Sequence, residues 1–140
     1  MGYVSQKPVN GAIIMVYWIT WQLGTSAYCD HETYPDHDDL SSFIVYNLMD
    51  LEDGWNEPML LASRILMAIE DLKAKKRVVF MCAAGISRSN GLAIGVLSIY
   101  HNLSIDDGKR IVECICPRAN PMPDLMDAIR QAVDLINGLF

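Results

Sequence analysis

The sequence predicts a single α/β domain over residues 1–140, with a central, mostly parallel sheet flanked by helices. Three observations carry that expectation. Short apolar runs with β-branched and aromatic content alternate with segments whose apolar residues recur at helical spacing. The run "RVVFM" at 77–81 is too hydrophobic for an edge strand, which makes it central and parallel. A chain of 140 residues, 51% hydrophobic and 20% charged, has the composition of one ordinary globular core, and no repeat or low-complexity tract divides it.

In chain order, Ile13 to Trp18 reads as a buried strand, and Thr20 to Ser41 as a polar, acidic connection. Ser42 to Leu48 is the next strand. Asn56 is placed to cap a helix with Pro58 in its first turn, and Leu61, Ile65, Ile69 and Leu72 mark the apolar stripe of that helix. Lys73, Lys75 and Lys76 suit its negative end. After the central strand, a helix over about 89–100 carries Gly91, Ala93 and Gly95, which suggests close packing on the sheet. Ser104 and Asp107 form a capping signal for a helix reaching Cys116, where Pro117 stops it. The last helix runs from about Asp124 to Asn137, with Gly138 as its stop.

A net charge of −6 argues against nucleic acid or an anionic membrane as partner, but not against an anionic substrate held locally. The longest apolar run, "GAIIMVYWI", is too short to span a bilayer and has neither the basic flank nor the cleavage site of a secretory signal. Four cysteines (29, 82, 114 and 116) form no zinc-type double pair and no disulfide framework, so a reducing cytoplasm is expected. Cys29, Cys114 and Cys116 are read as buried structural residues. The patch "CDHETYPDHDD", with His31 and His37, has no fixed ligand spacing and reads as a solvated loop, not a metal site. Trp18 and Trp21 read as core or rim aromatics, Arg64 and Arg77 as surface charges, and Arg118 as either near the site or at a helix end.

The chemistry concentrates in "VVFMCAAGISRSNGLAIG", Val78 to Gly95. A strand, a small-residue loop and a helix start make a nest of backbone N–H groups at the positive end of a helix. Such a nest holds an oxyanion and stabilises Cys82 as a thiolate at its floor. Gly85 permits positive φ, Arg88 offers a planar fork for two oxygens of a tetrahedral anion, and Ser89 can donate to the thiolate.

"CAAGISRS" resembles the Cys-x5-Arg-Ser phosphate loop of protein tyrosine phosphatases, in the "CxAGISRS" form of dual-specificity phosphatases. The resemblance covers roughly Ser42 to Ile136, including "CPRANPMPDLMDAI", which looks like the family's "R-x-x-x-x-P-n" segment and last helix. It implies a protein tyrosine phosphatase-like fold and a phosphocysteine mechanism with no cofactor or metal. Cys82 would be the nucleophile, and Ala83, Ala84, Gly85, Ile86, Ser87 and Arg88 would bind the phosphoryl group. An Asp in "NLMDLEDG" would protonate the leaving oxygen. Asp50, 32 residues before Cys82 (82 − 50), has the typical spacing; Asp53, 29 before it (82 − 53), sits in a "DG" turn. One position departs: the family usually has His before the nucleophile, and this chain has Met81, which leaves the thiolate to the helix dipole, the loop amides and Arg88.

Other Cys-x5-Arg proteins fit less well. In the low-molecular-weight phosphatases the loop lies near the N-terminus and the acid follows it, and a rhodanese needs no upstream Asp. Phosphoinositide phosphatases often carry lysines within the loop, and none occurs here. The expected substrates are phosphotyrosine and phosphoserine/phosphothreonine proteins. The alternatives are a non-protein phosphate ester, or a phosphate-binding module with weak or no turnover.

Overall fold

The computed structural model describes residues 2–9, 12–27 and 43–139. Five strands, β1 (Tyr3–Val9), β2 (Ala12–Trp18), β3 (Leu23–Ala27), β4 (Ile44–Asn47) and β5 (Val78–Cys82), form one mixed sheet in the order β1-β2-β3-β5-β4. β5 pairs in parallel with β3 and β4 on its two sides, and β1–β2–β3 form an antiparallel meander. The central parallel strand is thus where the sequence places it. Two strands were not expected: β1, and β3, which falls within the stretch read as a polar connection. "LGTSA" has little apolar character to announce a strand, yet all but its last residue is buried. The acidic patch Cys29 to Asp39, with His31 and His37, and Ser42, the expected start of β4, lie outside the described residues.

The helices are α1 (Pro58–Lys73), α2 (Arg88–Tyr100), α3 (Ile105–Ile115) and α4 (Pro123–Leu139). Alternation along β5 divides its side chains between two faces. Val78 and Phe80 join the main core with Ile65, Leu92, Ile94 and Ile129 from the helices. Val79 and Met81 join Val16 and Trp18 in a smaller cluster on the opposite face. Arg77 is more than a surface charge, because its guanidinium lies 3.9 Å from the Trp18 ring centroid and it bonds the Trp21 carbonyl and the Tyr3 hydroxyl.

Three expectations about the helices are corrected. Glu57, not Asn56, is the residue before α1, and it makes no side-chain cap. Gly91 and Gly95 face neighbouring helices, not the sheet. A Cβ at Gly91 would lie 2.9 Å from Ile129 Cδ1 of α4, and one at Gly95 2.7 Å from Ile65 Cδ1 of α1. Gly138 lies inside α4, which runs on to Leu139. The Ser104 cap is as expected, its Oγ accepting from Asp107 N at 3.0 Å. Cys116 is buried, but Cys114 is exposed, on the outer face of α3.

Candidate active site

Cys82 ends β5 and Arg88 begins α2, so residues 83–87 form the whole link between strand and helix. So tight a link needs a left-handed residue, which Gly85 supplies at φ 66°. A Cβ there would lie 3.0 Å from Ala27 N and 3.1 Å from Ala27 Cβ, so the absence of a side chain also lets the loop rest on β3.

The loop is held from behind by its carbonyls. Ala84 O accepts from Arg118 Nη2 at 3.0 Å, and Gly85 O from Asn90 Nδ2 at 3.0 Å. Ile86 O accepts from Asn90 Nδ2 at 3.0 Å and from Asn120 N at 2.9 Å. In a trans peptide the next N–H points opposite to the carbonyl. The amides of Gly85, Ile86 and Ser87 therefore turn away from these donors, and none of them is bonded to an acceptor among the described residues. Three unpaired N–H groups beside the first turn of α2 form an anion cradle. Ser87 is fixed by its hydroxyl, which accepts from Met122 N at 3.0 Å.

Cys82 is buried, with Sγ 3.3 Å from Ser89 Oγ, close enough for the hydroxyl to donate to a thiolate. Met81, on the adjacent register position, points to the opposite face of the sheet and is buried in the smaller cluster.

Arg88 divides its donors. Its Nη1 bonds the carbonyls of Leu51 (2.9 Å), Met49 (3.4 Å) and Leu48 (3.5 Å), the loop that leaves β4. Its Nε and Nη2 have no partner among the described residues and remain as a two-pronged fork. The same arginine can thus grip two oxygens of an anion and pin the loop that carries Asp50 and Asp53. Asn56 staples that loop from inside: its side chain accepts from Glu52 N at 3.0 Å and donates to the carbonyls of Glu52 and Gly54. The residue expected to cap a helix shapes the acidic loop instead.

Both aspartates are exposed, in different company. Asp50 is bonded by Arg64, whose Nη2 lies 2.6 Å from Oδ2 and whose Nη1 lies 3.3 Å from Oδ1. That guanidinium holds the Asp50 carboxyl below the usual carboxylate range. Asp53 has no ion pair among the described residues. No three His, Cys, Asp or Glu side chains cluster as a metal site among the described residues.

The sequence alone did not reveal Asn90, Asn120, Arg64 or the part played by Arg118. Asn90 did leave a signal: an amide in the first turn of a helix whose next seven residues are nearly all apolar demands a polar partner once buried.

No protein-family model and no curated protein sequence matches the chain. Solved structures do. Tk-PTP in its active form superposes with a TM-score of 0.71 at 14% identity, over 85% of this chain and 96% of that one. A leucine-rich-repeat and phosphatase-domain protein from Entamoeba histolytica gives 0.71 at 14% identity, over 89% and 94%. PTPMT1 in complex with PI(5)P gives 0.57 at 18% identity, over 62% and 56%. A strand, a Cys-x5-Arg loop and a buried helix are thus set in a sheet that these structures share, and the chain has the fold of the cysteine-based protein tyrosine phosphatases.

Proposed function

We propose that the chain is a metal-independent phosphomonoester hydrolase that works through phosphocysteine on phosphotyrosine and phosphoserine/phosphothreonine proteins. The observation that carries this reading is the set of three unpaired loop amides together with the free fork of Arg88, beside the Cys82 sulfur. The thiolate attacks phosphorus and the phosphorus–oxygen ester bond breaks. The departing oxygen takes a proton from Asp50 or Asp53, and the phosphoryl group stays on sulfur. Water then attacks phosphorus, gives its proton to the same carboxylate, and inorganic phosphate leaves as the thiolate is restored. The loop amides and Arg88 bear the charge on the equatorial oxygens, and Ser89 donates to the leaving sulfur. A cytoplasmic setting suits a nucleophile that must stay reduced.

A phosphate-binding module without turnover is the second reading. It draws on Asp50, whose pair with Arg64 favours the ionised carboxylate over the protonated acid. Hydrolysis of a chromogenic aryl phosphate, with and without EDTA, separates the two. Turnover that survives EDTA and disappears in Cys82→Ser is expected, and substantial hydrolysis by pure Cys82→Ser protein overturns the phosphocysteine mechanism. Asp50→Asn and Asp53→Asn identify the acid. The variant that cripples alkyl or tyrosyl phosphates, while sparing a highly acidic phenol, has lost it, by about 10²–10⁴-fold.

A further inference from the structure

Among the described residues the sheet ends at β4, beside the candidate site. Ile44 N donates to Arg77 O and Leu48 N to Met81 O, both at 2.8 Å across the β4–β5 pair. In a parallel pair the backbone groups of successive residues point to opposite sides. Val45 and Asn47 therefore direct their N–H and C=O groups away from β5, to the open edge, and neither has a backbone partner there among the described residues. A four-residue edge with no proline and no inward-pointing charge invites another strand.

Beneath that edge runs a groove of about 840 Å³ between β4 and α1. Tyr46, Met49 and Met67 give it an apolar wall, and Met49 and Met67 are exposed and adaptable. Tyr46 is fixed by its hydroxyl bond to Asp71 at 2.5 Å and by edge-on packing against Phe80. The groove ends at Asp50, on the loop pinned by Arg88. Edge and groove thus end on the same loop that Arg88 bonds.

We propose that β4 is a docking edge for the substrate: an extended segment flanking the phosphorylated residue adds to the sheet as a strand and lays alternate side chains into the β4–α1 groove. This rests on the phosphatase reading above and narrows its substrate to a protein with an unfolded segment next to the phosphate. The free backbone groups account for affinity without strict sequence preference, and the groove for a preference at every second residue.

The test compares kcat/KM for an aryl phosphate, a phosphotyrosine amide, and phosphopeptides extended by about six residues on either side. The extended peptide is expected to gain over the amide. N-methylation of its backbone amides is expected to lower kcat/KM in an alternating pattern, roughly three- to tenfold at the bonding positions and little between them. Val45→Pro removes an outward N–H that makes no bond to β5, a position where an edge strand tolerates proline. It is expected to lower kcat/KM for the extended peptide by a similar factor and to leave the aryl phosphate unchanged. Equal kcat/KM for amide and extended peptides, or N-methyl effects without alternation, overturns strand addition while the phosphatase reading stands. Absence of aryl phosphate hydrolysis overturns that reading and the docking edge with it.

Discussion

Replacing Asn90 by Asp, nearly isosteric, tests whether the loop between β5 and α2 depends on two donated hydrogen bonds. Asn90 is fully buried, and its Nδ2 serves the carbonyls of Gly85 and Ile86. Removal of the side chain in Asn90→Ala orphans Gly85 O, whereas Ile86 O keeps its bond from Asn120 N. Two lost bonds come to about 1–3 kcal/mol. Part of this is recovered because Asn90 Oδ1 has no partner and is deleted as well. A pH-independent loss of about 1–2 kcal/mol follows for Ala. In Asn90→Asp an ionised oxygen would face two carbonyl oxygens in a fully buried site, so the acid holds its proton and its folded pKa rises above the unfolded value of about 3.9. A raised pKa means that stability is kept below about pH 4 and lost as pH rises through the folded value. A rise of roughly two to three units costs about 3–4 kcal/mol at pH 7, at about 1.4 kcal/mol per unit. Urea unfolding of both variants at pH 4.5 and 7.5 is the assay. Asp should be several kcal/mol less stable than Ala at pH 7.5, and the gap should nearly close at pH 4.5. An Asp variant as stable as Ala at pH 7.5, or a gap that ignores pH, would refute the assignment of Asn90 as a double donor.

Arg88→Lys should be nearly as damaging to kcat as Arg88→Ala, because one ammonium cannot both pin the Leu51 carbonyl and hold two phosphoryl oxygens; steady-state kinetics that recover most of kcat with Lys would reduce Arg88 to a point charge. Arg64→Gln removes the cation that lowers the Asp50 carboxyl, so that carboxyl rises toward its ordinary range. A general acid works only while protonated, so the basic limb of kcat/KM should move to higher pH if Asp50 is the acid; an unmoved limb takes the role away from Asp50. Met81→His should destabilise the protein by about 1–3 kcal/mol by burying an imidazole beside Val16, Trp18 and Val79. The loss should deepen as pH falls through about 6.5, where only the unfolded histidine readily takes a proton. The acidic limb of kcat/KM should stay in place, since position 81 faces away from Cys82, and a moved limb in the pH profile would contradict that geometry.

The parts of this protein legible in the sequence are those written in contiguous residues. Strand, loop and helix around Cys82 declare themselves because apolar run, glycine and arginine follow one another within one short stretch. The stripes of α1 and α4 are visible in their spacing, and the α3 cap in Ser104 and Asp107. What escaped depends on distant partners. β3 is buried through its pairing on both sides, although "LGTSA" carries little apolar character. Asn56 caps well in isolation, but its side chain is taken up by Glu52 and Gly54 of the loop before α1. Arg77 carries a charge suited to solvent, and only the approach of Trp18 from β2 gives it a ring to cover. Asp50 fits the expected spacing for the acid, while Arg64, 14 residues later, decides its ionisation.

The ties behind residues 83–87 also set the order in which the candidate site can take shape during synthesis. Arg118, Asn120 and Met122 are translated well after Ala84, Ile86 and Ser87, which they hold. At ribosomal rates of about 5–20 residues per second, the intervening stretch of 38 residues (122 − 84) takes roughly 2–8 s. Throughout that interval Cys82 has been made but residues 83–87 lack three of their supports. A growing chain therefore passes through a period in which it carries the Cys82 sulfur without the loop shape described above. The loop is held in that shape only when the turn before α4 has reached back to it.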